Sequence, residues 1–358
     1  MHPSDLQNKH HRLSQLLTPY AQIPIECYPS PNQHYRQRAE FRIWHNDSGA
    51  HYVMVSQGQK AQSDSIIYTP QFPPAAELIN RLMPPLIDAI NQTPILKHKL
   101  FQIDFLTTLT GESLITLLYH RQLDNLWQQS AHTLAQRLNS HIIGRARKQK
   151  IVLTQDYVQE TYRVLEQEYH YRQYEGSFSQ PNGYICQIML NWAAQHCQHS
   201  QGDLLELYCG NGNFTLPLSR HFNKTLATEI SKTSIKALKE NIALNHIDNL
   251  KIARLSAEEF SQAWQGTRPF RRLIEADIHL NDYQFSTILV DPPRAGIDPD
   301  TLQLMQQFDS ILYISCNPYT LADNLTTLCQ THQIQHIALF DQFPNTEHME
   351  VGTLLKKR

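Results

Sequence analysis

Seven short apolar stretches follow one another after about residue 180: LLELYC, TLATEI, LKIARL, FSTILVD, SILYIS, IQHIALF and EVGTLL. Most are separated by segments of helical periodicity, such as SKTSIKALKENIALN. This alternation leaves few arrangements, because parallel neighbours need a crossover and the crossing helices then cover both faces of the sheet. The reading is therefore α/β, a doubly wound parallel sheet. The last two stretches are joined only by DQFPNTEHM, too short for a helical crossover, so they are expected to pair antiparallel.

The first half lacks that rhythm. RAEFRIWH and HYVMVS alternate like paired strands around a turn at Asn46–Gly49, and FQIDFLTTLTGESLITLLYH reads as a hairpin turning at residues 110–112. Residues 75–90 and 125–138 have helical spacing. An α+β domain over 1–178 and an α/β domain over 179–358 are expected, with the boundary in YEGSFSQPNG. A chain of 358 residues suffices for both.

Bulk properties narrow the setting. No apolar run approaches the roughly 18 residues of a membrane span, and MHPSDLQNKHHRL has no signal-peptide core. The six cysteines form no C-x-x-C pair, which suits a reduced cytoplasm. The net charge of −2 does not advertise a nucleic-acid partner, although GRARKQK and HYRQRAEFRIWH are locally basic. The 19 histidines show no ligand spacing supported by nearby cysteines or carboxylates, so no metal site is expected.

LLELYCGNGNFTLPLSRHF runs from a strand through Gly-Asn-Gly-Asn into a helix. Such a turn lets a ligand approach the backbone at a helix start, although a plain tight loop would look alike. Glu229 ends the next strand, seventeen residues after Gly212, where a carboxylate can accept from both ribose hydroxyls. Leu216 and Pro217 interrupt the full pyrophosphate fingerprint. A nucleoside-type ligand without pyrophosphate fits, with S-adenosyl-L-methionine the leading candidate. VDPPRAG closes the fourth strand, so Asp291 and Arg294 are expected at the same crevice, outside the carboxyl ends of the strands. Asp-Pro-Pro motifs that methylate exocyclic amines carry an aromatic residue where Arg294 stands, which counts against amine methylation.

Cys316, in YISCNPYTL, ends the fifth strand and opens onto that crevice. Free cysteines are usually buried packing residues. One at the top of a sheet beside an arginine is instead a candidate nucleophile of lowered pKa. Cys209, at the start of the glycine turn, is the nearest rival.

DPPRAG, a gap of fourteen residues, ILYISCNPYT and then FDQFPNTEHME together resemble the RNA uracil-5-methyltransferases, and RAEFRIWH resembles their tRNA-specific branch. The resemblance implies a Rossmann-like methyltransferase sheet. It places adenosylmethionine contacts on Gln180, Tyr208, Asn213, Glu229 and Asp291, the nucleophile on Cys316 and the proton-abstracting base on Glu350. Asn345 departs from the Gln, His or Tyr usual there, which bears on substrate positioning. Relatives acting on ribosomal RNA often hold an iron–sulfur cluster. Cys27 is the one cysteine before residue 186, and a cluster needs about four thiolates, so none is expected. The implied substrate is a T-loop uridine of tRNA, with the tRNA-like part of tmRNA a second, handled by a cytoplasmic monomer. RNA recognition is expected in the first half, at its basic segments and at Tyr35, Phe41 and Trp44, whose spacing fits strand core equally well. The rival readings are a ribosomal-RNA or cytosine-5 methyltransferase and a non-catalytic RNA-binding or folding protein.

Overall fold

The computed structural model describes residues 5–55 and 65–358. Two compact units divide the chain. The first comprises Pro31–Thr161 and Arg172–Gly183; the second takes the residues up to Ser30, Tyr162–Tyr171 and Tyr184–Arg358. This differs from a single cut at 178/179. The reason is pairing: α1 (Asp5–Leu17) and β1 (Ile25–Tyr28) open the chain, and β1 adds itself to the sheet of the second unit.

The first unit is a seven-stranded sheet. Its strands are β2 (Arg38–Asn46), β3 (Gly49–Val55), β4 (Ile66–Tyr68), β5 (Leu100–Thr107), β6 (Ser113–Tyr119), β7 (His141–Ala146) and β8 (Gln149–Val152). The helices are α2 (Glu77–Gln92), α3 (Pro94–Lys97) and α4 (Asn125–Leu138). The order is β4-β3-β2-β5-β6-β7-β8. Only β6 and β7 pair in parallel, and α4 supplies the crossover that a parallel pair needs. Both expected hairpins, β2–β3 and β5–β6, are present; Ser56, the last residue of the stretch HYVMVS, lies outside the described residues. Alternation in β2 sends Ala39, Phe41 and Ile43 into the core. A two-stranded sheet, β9 (Tyr157–Val164) and β10 (Gln167–Tyr174), follows. Its turn residues Leu165 and Glu166 both have positive φ, as a tight hairpin turn requires.

The second unit continues with α5 (Gly183–Cys197), β11 (Asp203–Leu207), α6 (Thr215–Ser219), β12 (Thr225–Thr228), α7 (Lys232–Leu244), β13 (Leu250–Ala253), α8 (Ala257–Trp264) and α9 (Arg271–Glu275). Then come β14 (Phe285–Val290), α10 (Pro299–Met305), β15 (Ser310–Ser315), α11 (Pro318–Leu328), β16 (His332–Phe340) and β17 (Glu350–Lys357). The sheet order is β1-β16-β17-β15-β14-β11-β12-β13, and β17 alone runs against the rest. Its inner strands β11, β12, β14, β15 and β17 are buried along most of their length, which is why they read as nearly unbroken apolar runs. In β15, Ile311 and Tyr313 join the core that holds α1, α10 and α11, while Leu312 and Ile314 join the core under α5. No helix among the described residues is long and apolar enough to cross a membrane.

At Gly352 in β17 an added Cβ would lie 2.8 Å from Trp192 Cζ3 and 3.0 Å from Phe340 Cε2. Two buried rings cannot both retreat without disturbing the core beneath α5. Gly352→Ala should therefore cost roughly 1–3 kcal/mol of stability in urea unfolding. A variant as stable as the wild type would mean the rings yield freely.

Candidate active site

The crevice is made by the carboxyl ends of β11, β12, β14 and β15. Past β11 the backbone takes left-handed conformations at Tyr208 (φ 62°), Gly210 (φ 56°) and Gly212 (φ 89°). A side chain on Gly212 would meet Leu238 Cδ1 at 2.4 Å, whereas one on Gly210 would meet nothing within 4 Å. The turn is thus packed from below and open above. Tyr208 has no such excuse, and a tyrosine held there stores of the order of 1–3 kcal/mol of strain, the kind that collects at ligand sites.

Glu229 ties this turn to the next helix. Its Oε2 accepts from the Gly210 amide at 3.0 Å, and Oε1 accepts from the amides of Ile230 and Ser231 at 2.7 and 2.8 Å. Beside it Ile230 is 63% exposed, an apolar platform on the rim. Asn213 is fixed from behind: its carbonyl accepts from the Tyr171 hydroxyl at 3.0 Å and its side chain lies 3.4 Å from Cys186 Sγ. Tyr208, Asn213, Glu229 and Asp291 are brought to one rim. Gln180 sits in the coil of the first unit, beside Pro181, whose carbonyl accepts from the Gln37 amide.

The run Ser-Cys-Asn-Pro is a strand end turned into a helix start. Asn317 caps α11 by accepting from the Tyr319 amide at 3.1 Å, and Pro318 occupies the first helical position. Cys316 is left in the bend, half-buried, between strand and cap. β17 pairs with β15 in the register Ser315↔Val351, so Cys316 and Glu350 are the next residues beyond that pair. Glu350 is only 4% exposed.

The electrostatics correct the expectation of a low-pKa thiol. Burial raises Cys316, the Glu350 and Asp291 carboxylates raise it further, and Arg294 offsets only part, leaving it at about 11. Burial also holds Asp291 and Glu350 above the ordinary carboxylate range, and Asp291 adds to the effect on Glu350. Glu206, one residue before the end of β11, is pushed up to about 8 by burial, with Asp291 contributing. Its Oε2 has no hydrogen-bond partner. Two carboxyls held above their ordinary range, Asp291 and Glu350, therefore act on the Cys316 thiol. Cys209 is buried, and burial with Glu206 and Glu229 beside it pushes its thiol up. Neither Glu206 nor its environment was signalled by the sequence, where it is one polar residue inside an apolar run.

The segment before β17 is held by α1. Buried Lys9 donates to Asp341 Oδ1 at 2.9 Å and to the Phe343 carbonyl at 2.8 Å, and pairs with Asp5 at 2.9 Å. Asp5 accepts from the Asn345 amide at 2.9 Å, and Arg12 contacts both Glu347 and the Tyr319 hydroxyl. Asn345 has φ 61°, a conformation asparagine tolerates better than most residues. Arg294 Nη2 donates to His348 Nδ1 at 3.2 Å, and Asn317 donates to the Arg294 carbonyl at 3.1 Å. Spacing could not reveal a clamp made by residues more than three hundred positions away.

In the first unit, Tyr35 and Phe41 are core residues, 7% and 2% exposed, and Trp44 is half-buried. The surface is instead formed by a groove of about 600 Å³ whose lining includes Phe101, His120, Arg121, Arg145 and Arg147. The Phe101 and His120 rings stack at 3.9 Å and 9°, with the Arg42 guanidinium 5.8 Å from the Phe101 ring.

Known proteins agree with this architecture. The family model described as tRNA (Uracil-5-)-methyltransferase matches residues 2–358. A tRNA/tmRNA (uracil-C(5))-methyltransferase of Neisseria meningitidis serogroup B is 57% identical over 333 residues, 93% of this chain and 92% of that protein. One from Acinetobacter baylyi is 52% identical over 351 residues, 98% of this chain and 97% of the relative. The crystal structure of Pyrococcus abyssi tRNA (uracil-54, C5)-methyltransferase in complex with S-adenosyl-L-homocysteine has the same fold. Its TM-score is 0.74 at 20% identity, covering 98% of this chain and 82% of that one. With the family match running the length of the chain and relatives above half identity, the chain belongs to the tRNA (uracil-5-)-methyltransferase family.

Proposed function

We propose that this protein methylates carbon 5 of the T-loop uridine in tRNA, and of its counterpart in tmRNA, through a transient bond between Cys316 and carbon 6. It does so as a cytoplasmic monomer with S-adenosylmethionine as donor. The observation that carries the reading is the juxtaposition of Cys316 and Glu350 at the ends of neighbouring antiparallel strands. The relatives' names support tRNA and tmRNA as substrates.

The residues fit the donor. A glycine turn open above, a strained Tyr208 and an apolar Ile230 suit a nucleoside, and Glu229 faces the ribose position. Asp291, Glu206 and Glu350, raised by burial, favour a cation nearby, and a sulfonium is one. Tyr208, Asn213, Glu229 and Asp291 would hold it, with Gln180 the family's further contact. When bound, adenosylmethionine supplies an electrophilic methyl to carbon 5.

Carbon 5 of uracil is too weak a nucleophile unaided. The Cys316 thiolate adds to carbon 6, and the ring electrons move onto the carbonyl as an enolate, which makes carbon 5 nucleophilic. Once carbon 5 carries the methyl, Glu350 accepts its remaining proton. The electron pair left behind re-forms the ring double bond and expels the thiolate. Burial favours this division of labour, since a carboxylate of raised pKa is the stronger base. Arg294 stands near enough to lower the thiol's pKa and to face an enolate oxygen. The uridine must leave its stack to arrive, at a cost of a few kcal/mol. In the first unit, the stacked Phe101–His120 pair among arginines has the makings of an unpaired-base platform.

Labelled methyl from adenosylmethionine should enter an unmodified tRNA transcript as 5-methyluridine at one position. Transfer to ribosomal RNA but not to tRNA would overturn the substrate assignment. Glu350→Gln should slow proton removal by on the order of 10²-fold or more. A covalent, already methylated RNA complex then accumulates on a denaturing gel, whereas Glu347→Gln, exposed on the same segment, turns over normally. Product release at the wild-type rate from Glu350→Gln would assign the base to another group. In the free protein, Cys316 is a thiol below its raised pKa of about 11. Its alkylation by iodoacetamide, followed by mass spectrometry, should therefore climb about tenfold per pH unit between pH 7 and 10. Adenosylmethionine should move the profile to lower pH; a plateau by pH 8 in the free protein would contradict the raised value.

A further inference from the structure

Glu26 on β1, His196 in the last turn of α5 and His336 on β16 come together on the second unit, from positions that no spacing motif links. His336 Nδ1 lies 3.6 Å from Glu26 Oε1, and the two imidazole rings are 4.1 Å apart between centroids. One donor atom from each residue lies within 4.8 Å of the other two. We propose that these three side chains form a divalent metal site, with Zn²⁺ the ion best suited to it, that fastens the edge strand β1 to β16 and α5.

Two imidazoles and a carboxylate are a recurrent three-ligand set for zinc, leaving a fourth position to water. Metal–ligand bonds of about 2.0–2.2 Å place tetrahedral donors about 3.3–3.5 Å apart. The closest donor pair is therefore at nearly the right distance, and small side-chain rotations close the remainder. The site is open on one side, with the His336 and Glu26 side chains 46% and 39% exposed, so an ion and its water can enter.

The surroundings are those of a supported carboxylate ligand. The Tyr28 hydroxyl donates to Glu26 Oε2 at 2.7 Å, and Trp192 Nε1 lies 3.4 Å from Oε1 as a weaker donor. Packing fixes both donors: Tyr28 stacks on Phe340 at 5.2 Å, and Trp192 meets Phe340 and His196 edge to face. Outer partners of this kind orient ligands and commonly change affinity by 10–100-fold. β1 has four residues and pairs with β16 alone, so it is the strand with most to gain from a further tie. Methyl transfer uses none of these residues.

The test takes the full chain, reduced and stripped with a chelator, and titrates Zn²⁺ against a competing chromophoric chelator. One equivalent should bind tightly and raise the unfolding temperature in proportion to the logarithm of free zinc. Glu26→Gln and His336→Asn should each weaken binding by about 10²-fold, and Tyr28→Phe by about 10-fold. His336→Asn should leave methylation unchanged. Zinc-edge absorption should show nitrogen and oxygen neighbours without sulfur. Equal affinity in wild type and both ligand variants, sulfur ligation through a cysteine, or the lack of a tight equivalent would each overturn the proposal.

Discussion

Between β15 and β16 the sheet contains one strand that runs the other way, and the chemistry depends on that reversal. A parallel strand would begin at the far edge and carry its first residue away from the crevice. β17 is reached from β16 by a short segment and must therefore turn back at the carboxyl end of the sheet. Its first residue, Glu350, then lies one step beyond the Ser315↔Val351 pair, opposite Cys316. Hydrogen bonds on both edges fix this placement, since β17 pairs with β15 and β16 along its length. Cys316 and Glu350, the two groups proposed to act on the uracil ring, are thus placed by backbone register.

Placing acids and a thiol together has an electrostatic consequence. Glu206, Asp291 and Glu350 are each raised by burial, and Cys316 is raised by burial and by two of them. Burial and the two carboxylates thus favour the neutral thiol at Cys316. A cationic donor and Arg294 both act in the direction that releases the thiolate. The α1 clamp completes the arrangement: buried Lys9 and Asp5 hold the segment that leads into Glu350 at Asp341, Phe343 and Asn345. A buried lysine with two carboxylates and a carbonyl is costly to break, because each partner left behind is uncompensated.

Much of this was legible in the sequence because it follows from local rules. Apolar runs bounded by turn residues located the strands, the short DQFPNTEHM segment required the antiparallel return, and Cys316 was placed at the end of the fifth strand. The rest depends on contacts between distant positions. β1 is four residues with no strong pattern, and only Phe340 and its neighbours make it a strand. Glu206 gives no sign that its environment keeps it protonated. Phe41 could serve recognition or strand core as read from the sequence, and the alternation of β2 turns it inward, while Phe101 and His120 stack at neighbouring strand ends. The thiol's raised pKa has a related cause: the sequence puts Cys316, Arg294 and Asp291 at one crevice but gives no measure of burial, which is the largest influence on the thiol.

The central claim is a covalent bond from Cys316 to the uracil ring. A tRNA bearing 5-fluorouridine at the T-loop position tests it most directly, because fluorine cannot leave as a cation and the last step stops. With adenosylmethionine present, protein and RNA should remain joined under denaturing conditions. Mass spectrometry of the digested complex should then find methylated fluorouridine on the peptide containing Cys316, and Cys316→Ala should give no complex. A complex that survives that substitution, or that maps to another residue, would contradict the account.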